Sequence, residues 1–255
     1  MGALTTERAI RGPGTSEPVW RQWLSEANLH PTSVEDLLNP RTRLVVVAPH
    51  PDDEVLACGA LLVTHAALGG KCAVVAVTDG EASHGVSDTR IVQRLAATRR
   101  AESEAGLRRL GLREASVHRL QLADSRVGEQ ADHLVALLHA LLDPHDVVVT
   151  TWRLDGHPDH DATGLAAASA CQAIGCRLLE APVWMWHWAS PDDVRVPWQR
   201  LSRMTITPQA AACKQAALAR HVSQLGPRGA GQGPVLVQTM VERAARLSEY
   251  FFLSE

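Results

Sequence analysis

The sequence predicts an α/β fold, a mostly parallel sheet with helices on its faces, and three observations carry that expectation. Continuous apolar, β-branched runs recur, beginning with "LVVVA" at Leu44 to Ala48, as strands buried on both faces require. Segments with helical spacing separate these runs, several of them closed by glycine. The chain has 255 residues, 45% of them apolar, which is enough for one sizeable core. A single domain over 1–255 is therefore expected, with 1–43 as an N-terminal helical arm.

The elements follow in order. In the arm, Trp20, Trp23 and Leu24 are placed to pack on the body, and Ser33 with Asp36 offers a capping start for a second helix. Leu44 to Ala48 is the first central strand, and Glu54 to Leu68 is an Ala/Leu-rich helix stopped by Gly69 and Gly70. Strand Cys72 to Thr78, helix Arg90 to Leu110, strand Ser116 to Leu122, helix Gln130 to Leu142 and strand Asp146 to Thr151 come next. Helix Ala162 to Gln172 and strand Arg177 to Trp184 complete the regular part. Beyond it, Met204 to Thr207 reads as a short strand, Gln209 to Val222 as a helix, Gly226 to Gly233 as a Gly/Pro-rich loop, and Arg243 to Phe251 as a helix or a strand. Alternating strands and helices imply right-handed crossovers and a parallel sheet.

Composition narrows the function. The net charge of -3 and the absence of long Lys/Arg runs lack the electrostatic footprint of a nucleic-acid binder. Five cysteines without a C-x-x-C pair argue against a disulfide framework and a cysteine zinc site, and fit a reducing cytoplasm. No signal peptide or membrane span is expected, because no long uninterrupted apolar stretch occurs.

Ligands of open α/β sheets sit beyond the carboxyl ends of the strands, and two unusual clusters fall there. One is His50-Pro51-Asp52-Asp53-Glu54 after the first central strand; the other is His157-Pro158-Asp159-His160-Asp161 after the strand Asp146 to Thr151. His50 and Asp53, three apart in a turn entering a helix, can meet one metal, with His160 arriving from the second loop. Two imidazoles and one carboxylate leave a position open for water, the arrangement of a catalytic zinc site. Asp52, between the two ligands, is the natural general base. Each cluster alone is matched by a plain structural role in capping a helix; two at equivalent strand ends are not. A nucleotide-binding reading fails because the first loop lacks glycines and is negative.

"PHPDDE" at Pro49 to Glu54, "TDGEAS" at Thr78 to Ser83, "RRAESEAGLRRLG" at Arg99 to Gly111, "HPDHDATG" at His157 to Gly164 and "KQAALARHVSQ" at Lys214 to Gln224 together resemble the PIG-L or LmbE-like family of metal-dependent N-deacetylases. The resemblance implies zinc held by His50, Asp53 and His160, with Asp52 as general base. It also implies that a protonated His157 stabilises the oxyanion, with Asp159 placed to orient it. Arg99 and Asp124 fall where the family contacts sugar, and His221 and Lys214 lie in its C-terminal element, with His221 expected to contact substrate.

The stretch "VWMWHW" at Val183 to Trp188 places Trp184, Trp186 and Trp188 on one face of an extended strand, an aromatic wall for substrate, with His187 toward the cleft. Buried tryptophans are more often simply core. The loop Gly226 to Pro234 is expected to act as a lid or a plain connector.

The expectation is a Rossmann-like three-layer α/β/α hydrolase, cytoplasmic, cleaving an N-acyl group from an amino sugar or glycoconjugate with Zn2+, or with Fe2+, which suits the same ligands. No nucleic-acid or membrane partner is expected, and a homo-oligomer is compatible with the sequence. Two rival readings are a metal-dependent phosphoesterase, with Asp159 and Asp161 helping to hold a second metal, and a non-catalytic sugar-binding member of the fold.

Overall fold

The structure, a computed structural model, describes residues 8–113, 115–228 and 231–253. It opens with α1 (Glu17–Glu26), β1 (His30–Thr32) and α2 (Val34–Leu37). The alternating part is β2 (Arg43–Ala48), α3 (Asp53–Ala67), β3 (Lys71–Thr78), α4 (Thr89–Arg109), β4 (Ser116–Leu122), α5 (Ala131–Leu141), β5 (Val147–Thr151), α6 (Pro158–Ile174) and β6 (Arg177–Ala181). Then come α7 (Met185–Trp188), β7 (Leu201–Thr205), α8 (Pro208–Leu218), α9 (Val222–Leu225), α10 (Gln238–Ala244) and β8 (Ser248–Leu253).

Eight strands form one sheet in the order β1-β7-β8-β6-β5-β2-β3-β4. All neighbours are parallel except β8, which runs antiparallel to both β6 and β7. The two-residue alternation of side chains along a strand splits the core into layers. Leu44, Val46, Val74 and Val149 pack with Leu61 and Leu62 of α3 and Ala217 of α8. Val45, Val47, Val75 and Val148 face the other way, onto Leu134 and Leu138 of α5 and Ala166 and Ala170 of α6. This is the three-layer α/β/α arrangement the buried runs require.

From β2 the chain moves outward to β3 and β4, then returns to β5 on the other side of β2. The topological switch therefore lies between β2 and β5, and the crevice beyond their carboxyl ends is where the two His/Asp clusters emerge.

Several boundaries differ from the sequence expectation. The strand from Arg177 stops at Ala181, before Pro182, and "MWHW" is a helical turn rather than an extended wall. The tryptophans consequently diverge. Trp186 joins a separate aromatic cluster, its ring 5.0 Å from both Trp20 and Tyr250, and Trp20 donates its indole N–H to the Trp186 carbonyl at 2.7 Å. Trp20 and Leu24 are buried as expected, while Trp23 is half-buried and bonds Asp192. Beyond its helices, the arm also supplies β1 to the sheet edge, paired in parallel with β7. The helix expected to reach Val222 ends at Leu218, and the segment from Arg243 splits into the end of α10 and strand β8. Among the described residues no helix is long and apolar enough to cross a membrane. Of the expected lid, residues 229–230 lie outside the described residues.

Candidate active site

A cleft of about 240 Å3 opens over the carboxyl ends of β2 and β5. His50, Asp52, Asp53, Arg99, Asp124, His157, His160 and Trp184 all line it, joined by Ser83, Gln224 and the apolar Leu56, Leu236 and Met240.

β2 delivers His50, and the loop behind it is tied down. Pro49 accepts both the backbone N–H and the hydroxyl of Thr78, at 3.1 and 2.8 Å, anchoring the turn to the end of β3. Asp53 is the pivot of the site. Its Oδ2 lies 3.2 Å from His50 Nδ1 and 3.3 Å from His160 Nε2, so one carboxylate oxygen sits between two imidazoles from different loops. The rings of His50, His157 and His160 bring ligand atoms within 4.8 Å of one another, and so do His50, Asp124 and Asp159.

This donor set fits a bound cation. Burial opposes charge on His50, yet Asp124, Asp159 and Asp53 raise its pKa well above the ordinary value. Burial likewise opposes charge on His160, and Asp53 with Asp155 brings it up to about 9. Burial pushes Asp53 up, but His160 and His50 outweigh it and hold the carboxylate well below its usual range. Two imidazoles sharing a carboxylate thus gather positive charge at the place where a divalent ion would sit.

Asp52 points elsewhere. It is buried, and desolvation raises its pKa to about 7, against the pull of Arg99. Its backbone has φ 143°, a region that disfavours a side chain. Two residues hold it there. Arg99 donates from Nη1 to the Gly80 carbonyl at 2.9 Å, and from Nη2 to the Pro51 carbonyl at 2.9 Å and to Asp52 Oδ2 at 3.2 Å. Glu54 accepts the Asp52 backbone N–H at 2.9 Å and the Ser103 hydroxyl at 2.6 Å. Arg99 is therefore buried within the site, while Glu102 of the same helix receives the Ser223 N–H and hydroxyl. Its packing also explains "TDGE": Gly80 has φ +68°, and a Cβ there would lie 1.9 Å from Arg99 Nη1.

Glu54 and Ser103 were not singled out in the sequence, and they are positioning residues for Asp52. Glu54→Ala is expected to lower kcat about 10-fold with KM unchanged, as loss of a supporting contact around a site does. Glu54→Gln, which keeps a carbonyl acceptor, should restore most of the rate. Equal losses in both variants, or a loss confined to KM, would count against this role.

The second loop is organised by another unforeseen residue, Asp155. Fully buried, it accepts His160 Nδ1 at 2.8 Å and the backbone N–H groups of Val183, Trp184 and Met185, each at 2.9 Å. It thus orients an imidazole and starts α7 at once. Its signal is a carboxylate five residues before His160, the usual companion of a metal-binding histidine.

His157 caps α6, its Nδ1 accepting the Asp159 N–H at 3.3 Å. Burial, with the neighbouring His160 and His50, pushes its pKa down to about 3. The expected protonated His157 is corrected to a neutral ring with its proton on Nε2. The Asp159 carboxylate does not orient it either. That carboxylate receives His50 Nε2 at 3.1 Å and the N–H groups of Ser125 and Val127 at 2.7 and 3.1 Å. Asp124 accepts the Ala82 N–H at 2.7 Å and lies 3.4 Å from His50 Nε2.

Trp184 faces the cleft, its ring stacked 6.3 Å from His157. His187 does not; it is buried against the N-terminal arm, with Nε2 donating to the Arg11 carbonyl at 3.2 Å. His221 is also absent from the cleft wall, fully buried beside Gly106, with neither ring nitrogen hydrogen-bonded. Both placements correct the expectation of substrate contact. The helical turn at α7 rotates His187 away, and close packing of α4 leaves His221 behind the wall.

Known proteins share this chain's sequence pattern and its fold. The family model PIG-L, GlcNAc-PI de-N-acetylase, matches residues 45–171. An uncharacterized deacetylase of Escherichia coli (strain K12), YaiS, is 32% identical over 144 residues, 53% of this chain and 71% of that protein. Among solved structures, the A40926 pseudoaglycone deacetylase Dbv21 superposes with TM-score 0.60 at 24% identity, covering 84% of this chain and 97% of its own. Teicoplanin deacetylase Orf2 in its zinc inhibited form gives 0.61 at 18%, covering 83% and 97%. The N,N'-diacetylchitobiose deacetylase of Pyrococcus horikoshii gives 0.54 at 20%, covering 81% and 79%. At these identities the superpositions speak for the fold.

Proposed function

This chain belongs to the PIG-L family of LmbE-like deacetylases, and from that premise we propose a metal-dependent hydrolase that removes the N-acetyl group of an amino sugar or glycoconjugate. The observation that carries the reading is Asp53 Oδ2 between His50 and His160, with Asp52 in the same cleft but bound to Arg99 instead. His50, Asp53 and His160 would hold the ion, zinc or iron(II). When bound, such an ion supplies Lewis acidity to the amide carbonyl and acidity to a water.

The remaining steps belong to the chain. Asp52 takes the proton of the attacking water and returns it to the departing nitrogen, leaving a free amine and a carboxylate. His157 donates a hydrogen bond from its Nε2–H to the oxygen of the carbonyl as negative charge develops there, and keeps its proton. Asp159 and Asp155 fix the two ligand rings of His50 and His160. Arg99 serves the base rather than the substrate, because both its Nη groups are engaged by the chain itself. Asp124, in the cleft wall beside His50, takes a sugar hydroxyl, the face of Trp184 takes a sugar ring, and Leu56 and Met240 line the acyl side. A single domain acting on a small cytoplasmic substrate is the simplest setting for this chemistry.

A two-metal phosphoesterase is not favoured. Asp161 accepts the Gly156 N–H at 2.9 Å, and the Asp159 carboxylate already meets three N–H partners.

The test is release of primary amine from a panel of N-acetyl amino sugars and their conjugates, with chelator and after zinc is restored. Release that disappears with chelator and returns with zinc is expected. None from metal-loaded protein on any member would overturn the reading. His160→Ala should lose bound metal together with turnover; metal content equal to the parent chain's would remove His160 from the ligand set.

A further inference from the structure

Beside the catalytic cleft lies a second cavity of about 40 Å3, between α3, α8, α10 and β8. Leu56 and Met240 line both spaces and so lie between them. A water needs roughly 10–15 Å3 of such volume, so the cavity has room for a small polyatomic group.

Three cations line it, and two are neutralised. Lys214 Nζ pairs with Glu249 Oε1 at 2.7 Å and donates to the Leu56 carbonyl at 3.0 Å. Arg246 pairs with Glu17 at 2.9 and 2.7 Å and covers the Trp186 ring. Arg243 is different. It is 8% exposed, and its Nη2 donates to the Thr15 carbonyl at 2.7 Å. Its Nε and Nη1 are buried with no hydrogen-bond partner, and no described carboxylate pairs with it. Burial, then Arg246, lowers its pKa to about 10. Glu17 and Glu242 offset this only from a distance; a buried guanidinium with no carboxylate in hydrogen-bond contact is costly, and its fork geometry suits one.

We propose that this cavity is a carboxylate subsite, in which Arg243 receives a small carboxylate across the Leu56 and Met240 partition from the catalytic cleft. The proposal rests on the deacylase reading for the source of that group, which is one of two. Either the carboxylate product of hydrolysis is held there, or the acidic end of a longer acyl group, such as N-succinyl, reaches it from the substrate.

Arg243→Met keeps the volume and removes the charge, and on this argument should fold with unchanged or higher Tm. The first arm follows inhibition of N-acetyl hydrolysis by acetate; the second compares KM for N-succinyl and N-acetyl amino sugars. A weakening of about 10- to 100-fold in Arg243→Met, the range for a lost charge-assisted pair, is expected in at least one arm. The first arm identifies the product as occupant and the second the acyl end, with kcat on N-acetyl substrate unchanged in both.

A separate measurement does not depend on turnover. Acetate and succinate binding to the metal-stripped chain is followed by calorimetry and by the rise in Tm of the unaltered protein. Binding there that is lost in Arg243→Met supports the subsite even if no amide is cleaved. Unaltered binding in the variant, or no binding by the unaltered chain, overturns it.

Discussion

Asp52→Ala is expected to lower kcat by about 10^2- to 10^4-fold, the usual contribution of a positioned general base, while bound metal per chain stays unchanged. The two halves of this result come from separate contacts. The Asp52 carboxylate is engaged by Arg99, whereas Asp53 is the carboxylate that meets His50 and His160. Removing Asp52 therefore leaves the ligand set whole and takes away the proton acceptor. Asp52→Asn, nearly isosteric and still able to occupy the φ 143° position, should lose the same activity. Amine release and elemental analysis on the same preparations check both halves. A variant that turns over near the parent rate would falsify the assignment of Asp52 as base.

Asp155→Ala should have the largest effect on stability. The substitution strands the backbone N–H groups of Val183, Trp184 and Met185 and frees the His160 ring, in a place where Asp155 is fully buried. Breaking such a buried pair costs about 3–5 kcal/mol, and for a chain of this size Tm should fall by roughly 6–20 °C. Metal affinity should fall as well, by about 10- to 100-fold. Asp155→Asn separates the two consequences. Its carbonyl can still accept the N–H groups of Val183 and Met185, while its amide faces His160 with donors. It should keep most of the stability and still lose metal affinity. An alanine variant with parental Tm and metal affinity would show that Asp155 organises nothing.

The meeting of the two His/Asp clusters was legible because they are compressed into two short motifs, each placed by a buried strand whose apolar run is unmistakable. His50, Asp53 and His160 needed only the parallel order of β2 and β5 to be brought together. Asp155 was not legible in this way. Its partners at Val183, Trp184 and Met185 lie 28 to 30 residues further on, and only the folded chain brings them to it. The same contact explains the misread tryptophans. A period of two fits a strand, but three N–H groups turned onto one carboxylate force a helical turn after Pro182. The protonation of His157 was hidden for a related reason: only in the folded site do His160 and His50 crowd it with positive charge. β1 and β8 are short or lie at a sequence remove from their partners, and nothing local announces which edge they join.

The position of β8 shapes how the molecule comes together in time. It follows every other strand in sequence, yet it lies inside the sheet, and β7 with β1 reaches β6 only through it. The block β6-β5-β2-β3-β4 has near-neighbour crossovers and can form as the chain emerges, carrying both His/Asp loops with it. The pair β1 and β7 must wait, since 172 residues separate its paired positions and β8 alone joins it to the rest of the sheet. Leu236 and Met240, which line the cleft, lie shortly before that late strand in sequence. His50, Asp53 and His160 are thus brought together by the early block and the wall of the cleft near α10 comes last, so the proposed ion site is expected to precede the completed cleft.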